Sequence, residues 1–291
     1  MKSSLTANSM RPRVAIIVLA VALALVVAAL SGASARASGS RTLRWRGGPK
    51  PVIVLEHGAW ADSSSWNGEI RLLQRDGFTV YAPPNPLRGL SYDSAYLHDF
   101  LTENPALQGK PVVLVGHSYG GAVITNAAVG DPEVKALVYV DAFIPAEGES
   151  IGQLLNAQPG SCLAGNPEDV FDLVPYPGGP AGDVDTYIKP SVFPGCFASG
   201  LPAVLAARLA AIQQPLAASA VTEASGTPAW QTIPSWAVIG TADKVIPPAE
   251  LQFMAERAGA HITYVNAGHL SLISNPGVVT RVIIDAAIAT S

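Results

Sequence analysis

From Pro51 onward the sequence predicts an α/β fold, a doubly wound and mostly parallel sheet with helices on both faces and a helical lid inserted late in the chain. Three observations carry that reading. Short apolar runs are continuous rather than alternating, as strands covered on both faces must be. Longer segments of helical character, punctuated by Gly or Pro, separate those runs. One long interval then breaks the rhythm.

The expected strands are "VIVLEH" (52–57), "FTVYA" (78–82), "PVVLVG" (111–116), "ALVYVD" (136–141), "SWAVIG" (235–240) and "HITYVN" (261–266), rich in Val, Ile and aromatic residues. Between them the helices are expected over 64–75, 92–103, 120–129, 248–258 and 276–289. Residues 144–233 hold 11 prolines and both cysteines and offer no clear pair of sheet strands. Such a stretch is too long for a connection, so a mostly helical and irregular lid over the sheet is expected there. Ligands on sheets of this kind bind beyond the carboxyl ends of the strands, and functional residues are therefore sought just after each strand.

The amino terminus reads differently. Lys2, Arg11 and Arg13 precede 17 uninterrupted apolar residues, Val14 to Leu30, and "SGASARAS" supplies small-residue sites at Ala33–Ala35 and Ala35–Ala37. This layout is that of a secretory signal peptide over 1–37, cleaved near Ala35 or Ala37, with an uncleaved membrane anchor as the alternative. A polar, Gly-rich lead-in, 38–50, follows, and 51–291 is expected as one domain. Removing Lys2, Arg11, Arg13 and Arg36 leaves about 14 basic residues against 22 acidic ones, so no nucleic-acid partner is expected. Cleavage would also leave no stable membrane partner. Cys162 and Cys196, an even pair in an exported chain, invite a disulfide. The histidines and cysteines lack the close spacing of metal ligands, and neither a metal nor a cofactor is expected.

"GHSYG", Gly116 to Gly120, follows the most apolar strand and opens a helix of small residues. That strand-turn-helix setting is what a nucleophile elbow requires: Ser118 at the tip of a strained turn, flanked by glycines that let strand and helix approach. The helix amino terminus would then favour a developing oxyanion.

With "HGAWADSSSW" (57–66), "GHSYGG" (116–121), "GTADKVIPP" (240–248) and "AGHLSL" (267–272) in this order, the chain resembles the α/β-hydrolase fold superfamily. Within it the compact esterase and hydroxynitrile lyase branch is the most similar. A serine nucleophile needs a base, and the base needs an orienting acid. His117 projects away from Ser118, His98 and His261 have ordinary structural explanations, and His57 belongs to the segment expected to form the oxyanion pocket. His269, after the last strand, fits the chain order Ser, acid, His used by this fold. The resemblance places the acid at Asp243, while Asp141, ending the preceding strand, competes for the role. The oxyanion donors are expected to be the backbone amides of Ala59 and Tyr119.

The catalytic set Ser118, His269 and Asp243 implies a secreted serine hydrolase, most simply a carboxylic ester hydrolase acting through an acyl-enzyme. Trp60, Trp66, Tyr119 and Phe143 suggest a small-molecule ester with an apolar part. The alternatives are a hydroxynitrile lyase-like reaction, a cofactor-free haloperoxidase or perhydrolase, and a hydrolase-derived binding protein. The lyase branch typically carries a threonine after the first motif's histidine and a lysine after the catalytic histidine. Gly58 and Leu270 stand there instead, which favours ester hydrolysis.

Overall fold

The first strand of the computed structural model, β1 (Val52–Glu56), is buried along its whole length. Trp45 and residues 48–291 are described, so the expected signal segment and most of the lead-in lie outside the described residues. Contacts divide the chain between Trp45 and Arg46, and every element below belongs to the second unit.

After β1, a single 3-10 turn (Ser63–Trp66) leads into helix α1 (Asn67–Arg75). The short β2 (Val80–Tyr81), α2 (Leu90–Glu103), β3 (Val112–His117), α3 (Tyr119–Ala127) and β4 (Val134–Val140) follow. Beyond the interval 141–234 come β8 (Ser235–Gly240), α8 (Pro248–Arg257), β9 (His261–Val265), the short α9 (Ser271–Ser274) and α10 (Pro276–Ala289). The strands pair in the order β2-β1-β3-β4-β8-β9, every pairing parallel. β1, β3 and β8 are buried throughout, as expected of strands covered by helices on both faces.

The interval between β4 and β8 corrects the sequence reading. It contains short helices α4 (Ile151–Leu155) and α5 (Pro167–Val170), a longer α6 (Ala203–Ala211) and the short α7 (Ser219–Thr222). It also builds a three-stranded antiparallel sheet from β5 (Phe171–Pro175), β6 (Val184–Ile188) and β7 (Leu216–Ala217). The strands are short and carry Asp172, Asp185 and Thr186, so no apolar run announces them. Pro175 is tolerated because β5 is an edge strand, where a missing N–H leaves no ladder bond unmade.

This insertion is tied to the main sheet by several polar contacts. The Arg88 Nη1 pairs with Asp185 Oδ1 at 2.7 Å and its Nη2 donates to the Pro215 carbonyl at 3.1 Å. The Ala217 amide donates to the Leu87 carbonyl at 3.0 Å. Cys162 and Cys196 form a disulfide, closing a 34-residue separation within the insertion. The Cys162 amide also donates to the Lys244 carbonyl at 2.7 Å, next to the loop that follows β8.

Among the described residues, Glu69, on α1, is the carboxylate with both oxygens buried and unpartnered. Burial pushes its pKa from 4.5 up to about 9, so it holds a proton at neutral pH. An unfolded chain ionises this group near 4.5 while the folded one does not, so stability present below that pH is lost as pH rises toward 9. Glu69→Gln is expected to gain on the wild type progressively between pH 5 and pH 8, reaching on the order of a few kcal/mol. Parallel stability curves for the two proteins over that range, followed by urea unfolding, would contradict the assignment.

Candidate active site

Ser118 sits between β3 and α3 with φ 53° and ψ −124°, a conformation that a serine adopts only where the surroundings impose it. The glycines explain how the turn closes. A Cβ on Gly116 would lie 2.5 Å from the Gly120 carbonyl oxygen, and one on Gly120 would lie 2.7 Å from the Glu56 carbonyl oxygen. Strand, turn and helix therefore pack backbone against backbone, and the serine side chain is held at the carboxyl end of the sheet.

His269 follows β9 and reaches back to this turn. Its Nε2 lies 2.9 Å from Ser118 Oγ, and its Nδ1 lies 2.8 Å from Asp243 Oδ2. The other oxygen of Asp243 accepts the amides of Val245 and Ile246 at 2.7 and 3.1 Å. With Nδ1–H donated to the carboxylate, the lone pair of Nε2 faces the serine hydroxyl, which is the tautomer a general base needs.

Asp141 does not touch His269. Its Oδ1 accepts the Gly240 amide at 2.6 Å and its Oδ2 the Ser271 amide at 3.3 Å, so it ties the end of β8 to the start of α9. The two acids thus have different partners, one the imidazole and the other the loops on either side of it.

Burial governs the titration of the site. It lowers His269 from 6.5 to about 3, which keeps the imidazole neutral and able to accept a proton. His57 and His117 are also pushed down by burial. Burial raises Asp243, opposed by the Val245 and Ile246 amides that favour its ionised form. Asp141 is raised well above the usual carboxylate range by burial and by the nearby Asp243.

Ala59 and Tyr119 line the same cavity as Ser118, and among the described residues neither backbone amide donates to another protein group. They are available to an oxygen that becomes negative beside Ser118. Tyr119 is fixed further by its hydroxyl, which donates to Asp93 Oδ2 at 2.7 Å.

The cavity has a volume of about 390 Å³, and most of the residues lining it belong to the insertion. Trp60, Phe143, Leu155, Phe171, Leu216 and Val221 supply much of its wall, and none of the described residues lining it is charged. Trp60, Tyr119 and Phe143 stand there as expected. Trp66 does not: it is fully buried, its ring 6.4 Å from that of His117 and nearly perpendicular to it.

Three supports of the site were not legible in the motifs. His117 was expected to project away from Ser118, and its Nε2–H donates to the His269 carbonyl at 2.9 Å, anchoring the backbone that carries the imidazole. His57 accepts the Asn85 amide at 3.0 Å through Nε2, joining the loop after β1 to the loop after β2. Phe197, from the insertion, packs against the His269 ring with centroids 5.2 Å apart. Adjacency to Ser118 is a weak signal for the first, the motif that begins at His57 marks the second residue but not its bond to Asn85, and no local pattern marks Phe197.

A strained serine at a strand-helix turn, with an imidazole and a carboxylate in line behind it, is the constellation of a hydrolase of the α/β class. The chain belongs to the Alpha/beta hydrolase family, whose profile matches residues 52–282. It is 37% identical over 112 residues to a carbendazim hydrolyzing esterase from Nocardioides sp. (strain SG-4G), a match covering 35% of this chain and 46% of that protein. The aligned part is thus less than half of that relative's length. Over 256 residues it is 26% identical to the Alpha/beta hydrolase nvfD of Aspergillus novofumigatus, covering 82% of this chain and 97% of the relative. Among solved structures, polyneuridine aldehyde esterase superposes with a TM-score of 0.66 at 20% identity, covering 81% of this chain and 99% of that one. That last likeness concerns the fold.

Proposed function

We propose that this protein hydrolyses carboxylic esters through an acyl-enzyme, with Ser118 as nucleophile, His269 as general base and acid, and Asp243 as the orienting carboxylate. The observation that carries the reading is the unbroken relay from Ser118 Oγ through His269 to Asp243, at 2.9 and 2.8 Å. Ser118 Oγ attacks the ester carbonyl carbon while its proton passes to His269 Nε2. The carbonyl oxygen, now negative, accepts the amides of Ala59 and Tyr119. Collapse expels the alcohol, protonated by His269, and a water activated in the same way releases the acid.

The substrate is a neutral small-molecule ester with an apolar part. A cavity walled by aromatic and aliphatic side chains and free of charged ones supports this, because a buried charge there would find no partner. Export, with removal of 1–37, is part of the proposal. The signal-like amino terminus supports it, as does the Cys162–Cys196 bridge, which suits an oxidising compartment.

A panel of p-nitrophenyl esters tests the substrate class. Neutral acyl chains are expected to be turned over at least tenfold faster, by kcat/KM, than chains of equal length ending in a carboxylate. Equal rates for the charged and neutral series would overturn the substrate reading.

A further inference from the structure

Trp60 stands directly after one of the two proposed oxyanion donors and has φ 55°, a conformation in which a bulky residue is a genuine outlier. Nothing about the loop after β1 demands a tryptophan in that conformation, and glycine would adopt it without strain. The side chain supplies the compensation. Its indole Nε1–H donates to the Thr186 carbonyl of β6 at 2.9 Å, with Thr186 Oγ1 at 3.3 Å as a second acceptor. The indole also stacks on Phe171 of β5, with centroids 5.3 Å apart, and meets the ring of Phe197 nearly edge-on at 6.0 Å. All of these partners belong to the insertion.

Ala59 is therefore held from both sides. Before it, Gly58 is pressed onto the elbow so closely that a Cβ there would lie 2.7 Å from Ser118 Cβ and from the His117 carbonyl oxygen. After it, the indole anchored on Thr186 holds Trp60 at φ 55°, so Ala59, whose N–H lies on the Gly58–Ala59 peptide, is restrained at both of its ends. The contact chain continues, since Phe197 also packs on the His269 ring at 5.2 Å.

We infer that Trp60 is a positioning residue that clasps the insertion to the loop after β1 and thereby fixes the Ala59 amide toward the oxyanion. The inference rests on the ester-hydrolase reading above. Assembly of the oxyanion pocket then depends on docking of the inserted sheet, so the insertion contributes to the chemical step as well as to the shape of the cavity. Losing an oxyanion donor outright typically lowers kcat by roughly 10²–10³-fold, and a donor left in place but loosened should fall short of that.

The experiment uses the full chain with two replacements. Trp60→Phe keeps an aromatic ring but removes the N–H. Incorporating β-(3-benzothienyl)alanine at position 60 keeps the bicyclic shape and removes only the donor. With a short neutral p-nitrophenyl ester, both are expected to lower kcat tenfold or more with KM changed less than about threefold. They should weaken binding of an alkylboronic acid, whose serine adduct carries the oxyanion charge, by a factor similar to the loss in kcat. A kcat within twofold of wild type for the benzothienyl variant, or a loss confined to KM, would overturn the inference. Ser118→Ala, run in parallel, separates the two layers: full turnover by that variant sinks the hydrolase reading itself, whereas an inactive Ser118→Ala beside an unimpaired benzothienyl variant sinks only the role of Trp60.

Discussion

Ser118→Ala is expected to lower kcat for a p-nitrophenyl ester by on the order of 10⁵–10⁶-fold, and His269→Ala by a similar factor. On the proposed mechanism the double variant should be no worse than either single one, because a nucleophile and its base in contact at 2.9 Å act as one unit. Residual catalysis would then reflect the amides of Ala59 and Tyr119, which neither substitution removes. Thermal unfolding should barely move for Ser118→Ala, since alanine keeps the Cβ and meets the same φ of 53° without gaining or relieving strain. Additive losses, multiplying in the double variant, would show that the two side chains do not work together.

Asp243→Asn is expected to cost roughly 10⁴-fold in kcat at neutral pH. The amide can no longer stabilise the imidazolium, and an NH2 group turned toward Nδ1 would favour the tautomer with its proton on Nε2, which cannot accept from the serine. Asp141→Asn discriminates. That residue touches the backbone of Gly240 and Ser271 and leaves the imidazole alone. Its replacement should lower stability by about 1–3 kcal/mol through an unsatisfied buried amide, with kcat reduced less than about tenfold. A loss in Asp141→Asn equal to that in Asp243→Asn would transfer the orienting role to the wrong acid. Kinetics of the two variants side by side, with urea unfolding as the control, provide the comparison.

The parallel sheet was legible because its physics is one-dimensional. A strand buried on both faces must be apolar at every position, and "VVLV" at 112–115 can hardly be anything else. The elbow was legible for a related reason, since glycines at 116 and 120 and the serine between them occupy one short stretch of chain. The inserted sheet was not. Its strands are two to five residues long, and β5 and β6 interrupt their apolar positions with Asp and Thr, while the β6–β7 pairing joins segments about 30 residues apart and leans on contacts with the loop carrying Arg88.

The same division runs through the site. Chain order and position beyond a strand point to His269, and the family resemblance puts Asp243 ahead of Asp141, although both follow strands at the same edge. In the structure it is Asp243 that lies 2.8 Å from His269 Nδ1. Trp66 and His117 illustrate the opposite failure: one was expected near the cavity and is buried against His117 instead, while the other was set aside as projecting away from Ser118 and holds the carbonyl of His269. In each case the deciding quantity is the direction of a side chain at a turn, which residue type does not encode.

The central claim is that Ser118 is the atom to which the acyl group is transferred. Treating the protein with a fluorophosphonate and mapping the adduct by peptide mass spectrometry tests it most directly. One adduct per chain, on the peptide carrying Ser118 and lost in Ser118→Ala together with ester turnover, is the result predicted. An adduct on another residue, or a Ser118→Ala protein that still reacts and still hydrolyses esters at the wild-type rate, would contradict it.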